Sequence, residues 1–374
     1  MVSLIFGPRG TGKSTWLKQQ FKPDLTINLL LSSECLAISG DHGLLRRRTE
    51  ALPRGSKVVI DEIQKLPELL DEVHALIADH NGDYQFALTG SSARRLKRGG
   101  ANLLAGRAVK REMFGLTSAE IEFDFEFDDL LRFGCLPLAR TLQTSEQKAD
   151  YLYSYVDMYL KEEIQQEAAV RNLSSYHRYL KHAALVNAQV LNASGISRDA
   201  AVARATVDGY FSIVEDTLLG SFLNAIQFKA KVKEVANPKF YFFDCGVVRA
   251  LQGELDVLDS SQRGFLFETF ILNEVRAYQS YSQIRGELGY WGTPGDNEVD
   301  LIWLKGRRAV GIEIKTSNRW KSDFGYGLKT LIEAKKINSA FGIYWGKDRL
   351  KDGPITVLPA MDFLKKLHRG EILY

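Results

Sequence analysis

Val2-Ser3-Leu4-Ile5-Phe6, followed at once by Gly7-Pro8-Arg9-Gly10-Thr11-Gly12-Lys13-Ser14, decides the reading of this 374-residue chain. The first five residues have the length and apolar content of a buried strand. The next eight match G-x-x-x-x-G-K-[ST], and Thr15-Trp16-Leu17-Lys18-Gln19-Gln20 continues as a helix. Glycines let successive backbone N–H groups turn toward an anion, and the helix N-terminus adds partial positive charge. In such a loop Lys13 reaches the β- and γ-phosphates and Ser14 offers its hydroxyl to Mg²⁺, with Gly7 to Thr15 as the phosphate cradle. The plainer alternative is a glycine-rich turn that binds nothing, but strand, loop, Lys-Ser and helix stand here in register. Because the loop starts almost at Met1, no further domain is expected before it.

Working outward, Leu25 to Leu31 is an apolar run of strand length, and Lys57-Val58-Val59-Ile60 is a strand that ends in Asp61-Glu62. Asp-Glu after a strand means little alone. Behind a phosphate loop it reads as the second nucleotide motif, with Asp61 holding Mg²⁺ through water and Glu62 orienting the attacking water. The strand Tyr84 to Thr89 runs into Gly90-Ser91-Ser92, where Ser91 either senses the γ-phosphate or caps the next helix. Arg94-Arg95-Leu96-Lys97-Arg98 reads mostly as a solvated charge run. Arg107, beside Leu104-Ala105-Gly106, is the candidate arginine finger for a neighbouring subunit's nucleotide, with Arg94 and Arg95 as alternatives.

Taken together, Gly7 to Ser14, Val58 to Pro67, Leu88 to Ser92 and Leu104 to Arg107 resemble the prokaryotic AAA-type ATPases, and Phe133-Gly134-Cys135-Leu136-Pro137 and Tyr155 to Ile164 continue the likeness. The resemblance implies a P-loop ATPase domain of α/β class, a helical and winged-helix middle, and a C-terminal domain of unknown function with a restriction-endonuclease-like fold. It also implies ATP and Mg²⁺ as cofactors and a homo-oligomer, a ring included. The chain lacks the N-terminal extension that the resemblance leads one to expect before the loop. The domain boundaries expected are 1–144, 145–236 and 237–374.

In the middle stretch, Leu185–Asn192 and Asp199–Phe211, separated by Ala193-Ser194-Gly195-Ile196-Ser197-Arg198, read as two helices around a glycine-bearing turn. Thr217 to Lys233 would supply a wing, and Arg198, Arg204, Lys229, Lys231 and Lys233 the phosphate contacts. A helical hairpin that only links domains fits the same pattern. Further on, Gly264 to Val275 reads as a helix carrying Glu268, followed by strands Leu288–Trp291, Glu298–Trp303 and Ala309–Lys315.

Glu313 and Lys315 are two apart, so they leave one face of their strand, with Asp300 on the neighbouring strand. Glu268, Asp300 and Glu313-x-Lys315 resemble the PD-(D/E)XK nuclease constellation. Three carboxylates would hold Mg²⁺, and Lys315 would position water. Alternating charges on a solvated strand face are the bland reading. A nuclease-like fold that has lost cleavage and kept binding is also open.

Composition excludes little. Lys+Arg 49 against Asp+Glu 46 gives a net charge of +3, so any nucleic-acid surface, DNA being favoured, must be a local patch. Cys35, Cys135 and Cys245 form no metal-site or disulfide spacing. With no targeting segment and no run of about 18 apolar residues, the chain is expected to be cytoplasmic and free of membrane.

Overall fold

β1 (Val2–Phe6) lies inside a five-stranded parallel sheet, and its burial on both sides explains why these strands read as continuous apolar runs. The computed structural model describes residues 2–41, 43–92, 108–159, 173–228, 233–295 and 297–374, which contacts divide into two compact units. The first holds the described residues of 1–114 with 216–219, and the second holds the other described residues. Among the described residues no helix is long and apolar enough to cross a membrane.

In the first unit β1 leads through the glycine loop into α1 (Lys13–Trp16) and a π turn (Leu17–Phe21). There follow β2 (Leu25–Asn28), α2 (Ser32–Gly40), α3 (Leu44–Glu50), β3 (Lys57–Asp61), α4 (Leu69–Asp79), β4 (Gln85–Gly90) and β5 (Ala108–Glu112). The strand order is β2-β3-β4-β1-β5, so β4 separates the strand that feeds the loop from the strand that ends in Asp61. On one face Val2, Leu4, Phe6, Ile27, Val58, Ile60, Phe86 and Leu88 build the larger core; on the other, Ile5, Val59 and Ala87 pack on Leu17. This is the α/β parallel sheet expected from the loop.

The second unit begins with α5 (Phe127–Phe133), α6 (Pro137–Thr141), α7 (Ser145–Ser154), α8 (Leu173–Leu185), β6 (Gln189–Val190), α9 (Ala193–Asp199), α10 (Arg204–Asp216), β7 (Gly220–Ala225) and β8 (Lys239–Phe242). It continues with α11 (Cys245–Gln252), α12 (Ser260–Tyr281), β9 (Glu287–Thr293), β10 (Asn297–Lys305), β11 (Arg308–Ile314), α13 (Tyr326–Glu333), β12 (Ser339–Tyr344), β13 (Leu350–Asp352), β14 (Ile355–Pro359) and α14 (Ala360–His368).

Its strands form one nine-stranded mixed sheet in the order β13-β14-β12-β11-β10-β9-β7-β8-β6. β9, β10 and β11 are an antiparallel meander, β12 runs parallel to β11, and β8 pairs antiparallel with both β6 and β7. A parallel pairing of Asn224 and Ala225 with Gly289 and Tyr290 joins the two groups.

Two sequence expectations shift here. The stretch read as the turn between two helices, 193–198, is itself helix α9, because the Asn192 side chain accepts from the Gly195 N–H at 3.0 Å and caps it. Residues 189–190, expected at the end of the preceding helix, are strand β6 instead, pairing with Lys239 and Phe240. The contact division falls at 114/115 rather than at 144/145. The boundary expected at 236/237 falls between β7 and β8, which are hydrogen-bonded to each other.

Candidate functional site

Lys13 is folded back into its own loop, its ammonium donating to the carbonyls of Gly7 at 2.7 Å and Pro8 at 2.9 Å. The Thr11 hydroxyl donates to Pro8 O at 2.8 Å. Gly10 and Gly12 hold φ of 81° and 89°, a region closed to most side chains. Gly7 is required for space, since a Cβ there would stand 2.4 Å from the Met113 carbonyl just past β5. Ser14 and Thr15 stay exposed at the head of α1, and Arg9 is half-buried beside them.

The end of β3 comes to this loop. Ser14 Oγ donates to Asp61 Oδ2 at 2.6 Å, while Thr89 Oγ1 from β4 bonds Asp61 Oδ1. A hydroxyl and a carboxylate side by side are hard oxygen donors of the kind Mg²⁺ takes, and the residues therefore fit the ion. Glu62 has left-handed backbone (φ 62°, ψ 48°), its N–H donating to Thr89 Oγ1 at 3.3 Å. Its carboxylate accepts from the Gln64 amide, which also donates to Ser91 Oγ at 3.1 Å. Ser91 thus sits against the water-orienting candidate. Gln64, which the sequence reading passed over, ties the two together. Arg107, with Arg94 and Arg95, lies outside the described residues.

The second cluster lies at the C-terminal half of the chain, along a cavity of about 700 Å³ whose wall includes Glu298, Asp300, Glu313, Lys315, Phe324 and Tyr326. Asp300 on β10 accepts from the Ile314 N–H at 2.7 Å, which pins it to β11. Lys315 pairs with Glu313 and stands 3.8 Å from Asp300. Glu268, from α12, accepts from Lys239 at 2.9 Å and from the Tyr241 hydroxyl. Lys239 also pairs with Glu298. One oxygen each from Glu268, Glu298 and Asp300 lie within 4.8 Å of one another, and Glu313 Oε2 is buried with no hydrogen-bond partner. An all-oxygen set with an orphaned carboxylate oxygen fits a hard divalent cation.

Burial shapes the charges. It pushes the Glu268 carboxyl up to about 7 against the pull of Lys239, and with Asp300 nearby it drives Glu313 well above the usual carboxylate range. Burial opposes the ammonium of Lys239, yet Glu268, Asp300 and Glu298 hold it above the ordinary lysine range; Asp300 and Glu313 do the same for Lys315. The structure therefore brings together all four sequence-predicted residues, Glu268, Asp300, Glu313 and Lys315, and adds Lys239, Tyr241 and Glu298.

The basic residues of the middle stretch are less open. Arg204 is engaged by Asp208 at 3.1 Å and Ser194 at 2.9 Å, while Arg198 and Lys233 are exposed. Lys229 and Lys231 lie outside the described residues.

With the glycine loop, Ser14 and Asp61 in one place, the likeness to known families becomes informative. Residues 1–122 match the AAA domain family. The match supports an AAA-type P-loop ATPase domain at the N-terminus and implies nucleotide binding with a metal, typically Mg²⁺. Beyond the AAA domain, residues 124–257 and 263–363 match two domains of unknown function, DUF8612 and DUF4143. The uncharacterized proteins Mb2031c of Mycobacterium bovis and Rv2008c of Mycobacterium tuberculosis are each 26% identical over 329 residues, 85% of this chain and 70% of theirs. The crystal structure of protein VC1899 from Vibrio cholerae covers 98% of this chain and 96% of its own at 11% identity, with a TM-score of 0.25 that bears on neither fold nor function.

Proposed function

We propose that the chain is an ATP-hydrolysing AAA-type protein that acts on nucleic acid, DNA being favoured, and carries a Mg²⁺-dependent nuclease-like site in its C-terminal part. The observation that carries this reading is the meeting of Asp300, Glu313 and Lys315 on the wall of a single cavity, with an oxygen of Glu268 within 4.8 Å of one from Asp300. In the AAA domain Lys13 leaves its two carbonyl partners to meet the β- and γ-phosphates. Ser14 and Asp61 would hold Mg²⁺, which neutralises phosphate charge, and Glu62 orients the attacking water. In the second site Lys315 orients water, while Glu268, Asp300 and Glu313 would hold the cation.

The order α8-β6-α9-α10-β7-β8, with β8 paired between β6 and β7, supports a winged helix over roughly 173–242, in which α10 is the reading helix. Arg107 is proposed as a finger acting in trans, which makes hydrolysis depend on assembly into a homo-oligomer.

Phosphate release with Mg²⁺-ATP, measured with and without duplex and single-stranded DNA while cleavage is followed on gels, tests the reading. DNA-stimulated hydrolysis together with cleavage that vanishes in Glu313→Ala is the expected result. Hydrolysis indifferent to every nucleic acid, with no cleavage, would overturn it in favour of a nucleotide-regulated binding module whose nuclease-like fold is inactive.

A further inference from the structure

Lys239 is almost wholly buried, yet it stands among carboxylates rather than in an apolar pocket. Its ammonium bonds Glu268 at 2.9 Å and also Glu298, two of the three residues whose oxygens lie within 4.8 Å of one another. A lysine removed from water survives as a cation only where acceptors surround it, and here it fills the space between Glu268 and Glu298 that an ion would otherwise claim. On the other side of the cluster Lys315 pairs with Glu313, leaving Glu313 Oε2 buried without a partner and Asp300 Oδ2 3.8 Å from the ammonium.

The charge balance sharpens the point. A bound divalent cation would hold Glu268 and Glu313 ionised against the burial that raises them, and with every group then ionised four carboxylates (Glu268, Glu298, Asp300, Glu313) face two ammoniums (Lys239, Lys315), so the cluster carries 2 − 4 = −2. At the rim Asp323 is exposed, and Lys329 is already taken by Asp352 at 2.7 Å, so neither alters the buried sum. One divalent cation brings the cluster to neutrality. A second would leave two uncompensated positive charges in a buried place, which is the costly case.

We infer that Lys239 is a built-in cation standing in for a second metal ion, so that the cluster takes one divalent cation, at Asp300, and no more. This rests on the reading of the cluster as a cation site, and the two can fail separately.

The test is Mn²⁺ binding to the full chain without nucleotide, counted by calorimetry and by the fraction of free Mn²⁺ seen in electron paramagnetic resonance. Asp300→Asn identifies the ions that belong to this cluster. The expected result is one Mn²⁺ per chain lost in Asp300→Asn, a second gained in Lys239→Met, and a return to one in Lys239→Met/Glu268→Gln, which restores the charge of −2. If Asp300→Asn loses no Mn²⁺, the cation-site reading itself fails. Two ions lost from the wild type, or a single ion retained in Lys239→Met, would overturn the role of Lys239 while leaving the cation site standing. Where Lys239→Met does not fold, Lys239→Gln, uncharged and still able to donate to Glu268, takes its place with the same expected count of two.

Discussion

Asp244 offers a prediction whose size can be worked from the structure. It closes the turn after β8 and caps α11: Oδ1 accepts from Val247 N–H at 3.0 Å, and Oδ2 from Cys135 N–H at 2.6 Å, while the carboxylate is 2% exposed. Asparagine has one acceptor oxygen, so in Asp244→Asn the amide NH₂ must face one of these two donors. That loses a charge-assisted bond and strands a buried N–H, together about 3–5 kcal/mol.

Against this stands the cost of burying the charge. Burial, only partly offset by the backbone donors, raises the Asp244 carboxyl from 3.8 to about 6. A carboxyl raised in the folded state contributes stability that is complete below the unfolded pKa and is lost as pH rises through the folded one. At pH 7 this term costs the wild type about 3 kcal/mol and at pH 5 about half that. The variant lacks the term. It should be less stable than wild type by about 0–2 kcal/mol at pH 7, and the gap should widen by about 1.5 kcal/mol at pH 5.

Urea unfolding at both pH values, followed by the fluorescence of the buried Trp291 and Trp303, reads the difference. A gap that is flat, or that narrows toward pH 5, would refute the reasoning.

The other predictions are these. Lys13→Ala should abolish ATP binding in calorimetry, and binding at wild-type strength would sink the phosphate-loop assignment. Glu62→Gln should bind ATP and lower turnover by about 100-fold or more, as loss of a water-positioning base does; residual turnover near wild type would move that role elsewhere. Gly134→Ala should cost more than about 3 kcal/mol, because φ is 72° and the new Cβ would stand 2.0 Å from Asp244 Oδ1. An unchanged melting temperature would count against that packing. Gln64→Ala should leave Glu62 and Ser91 with only their direct hydrogen bond of 3.5 Å and change turnover with little effect on ATP binding, and identical kinetics would show that the Gln64 tie plays no part.

Much of the nucleotide site was legible because its signals are local: the loop is contiguous, and β3 delivers Asp61 at its end by strand period alone. That Glu313 and Lys315 stand together was legible through their two-residue step along the strand. Lys239, Tyr241 and Glu298 obey the same rule, since Lys239 and Tyr241 share one face of β8 as Glu298 and Asp300 share one face of β10. Lys239 was hidden because it follows a basic stretch that reads as a wing, and because the β7–β9 pairing is what brings β8 near β10. That pairing joins residues 65 apart in sequence, Asn224 and Gly289, and no local pattern announces it. The middle helices were misplaced for an opposite reason: Gly195 reads as a turn, but Asn192 caps a helix across it.

The single sheet that runs from β6 to β14 has a mechanical consequence. Because β7 is bonded to β8 on one side and to β9 on the other, α10 and the carboxylates of β10 and β11 are fixtures on one continuous plate with no hinge strand between them. Were α10 to hold nucleic acid as proposed, the bound polymer would meet the carboxylates at a set offset, like stock held against the fence of a saw. The spacing between the gripped and the contacted positions would then be a constant of the fold, unchanged by whatever motion nucleotide drives.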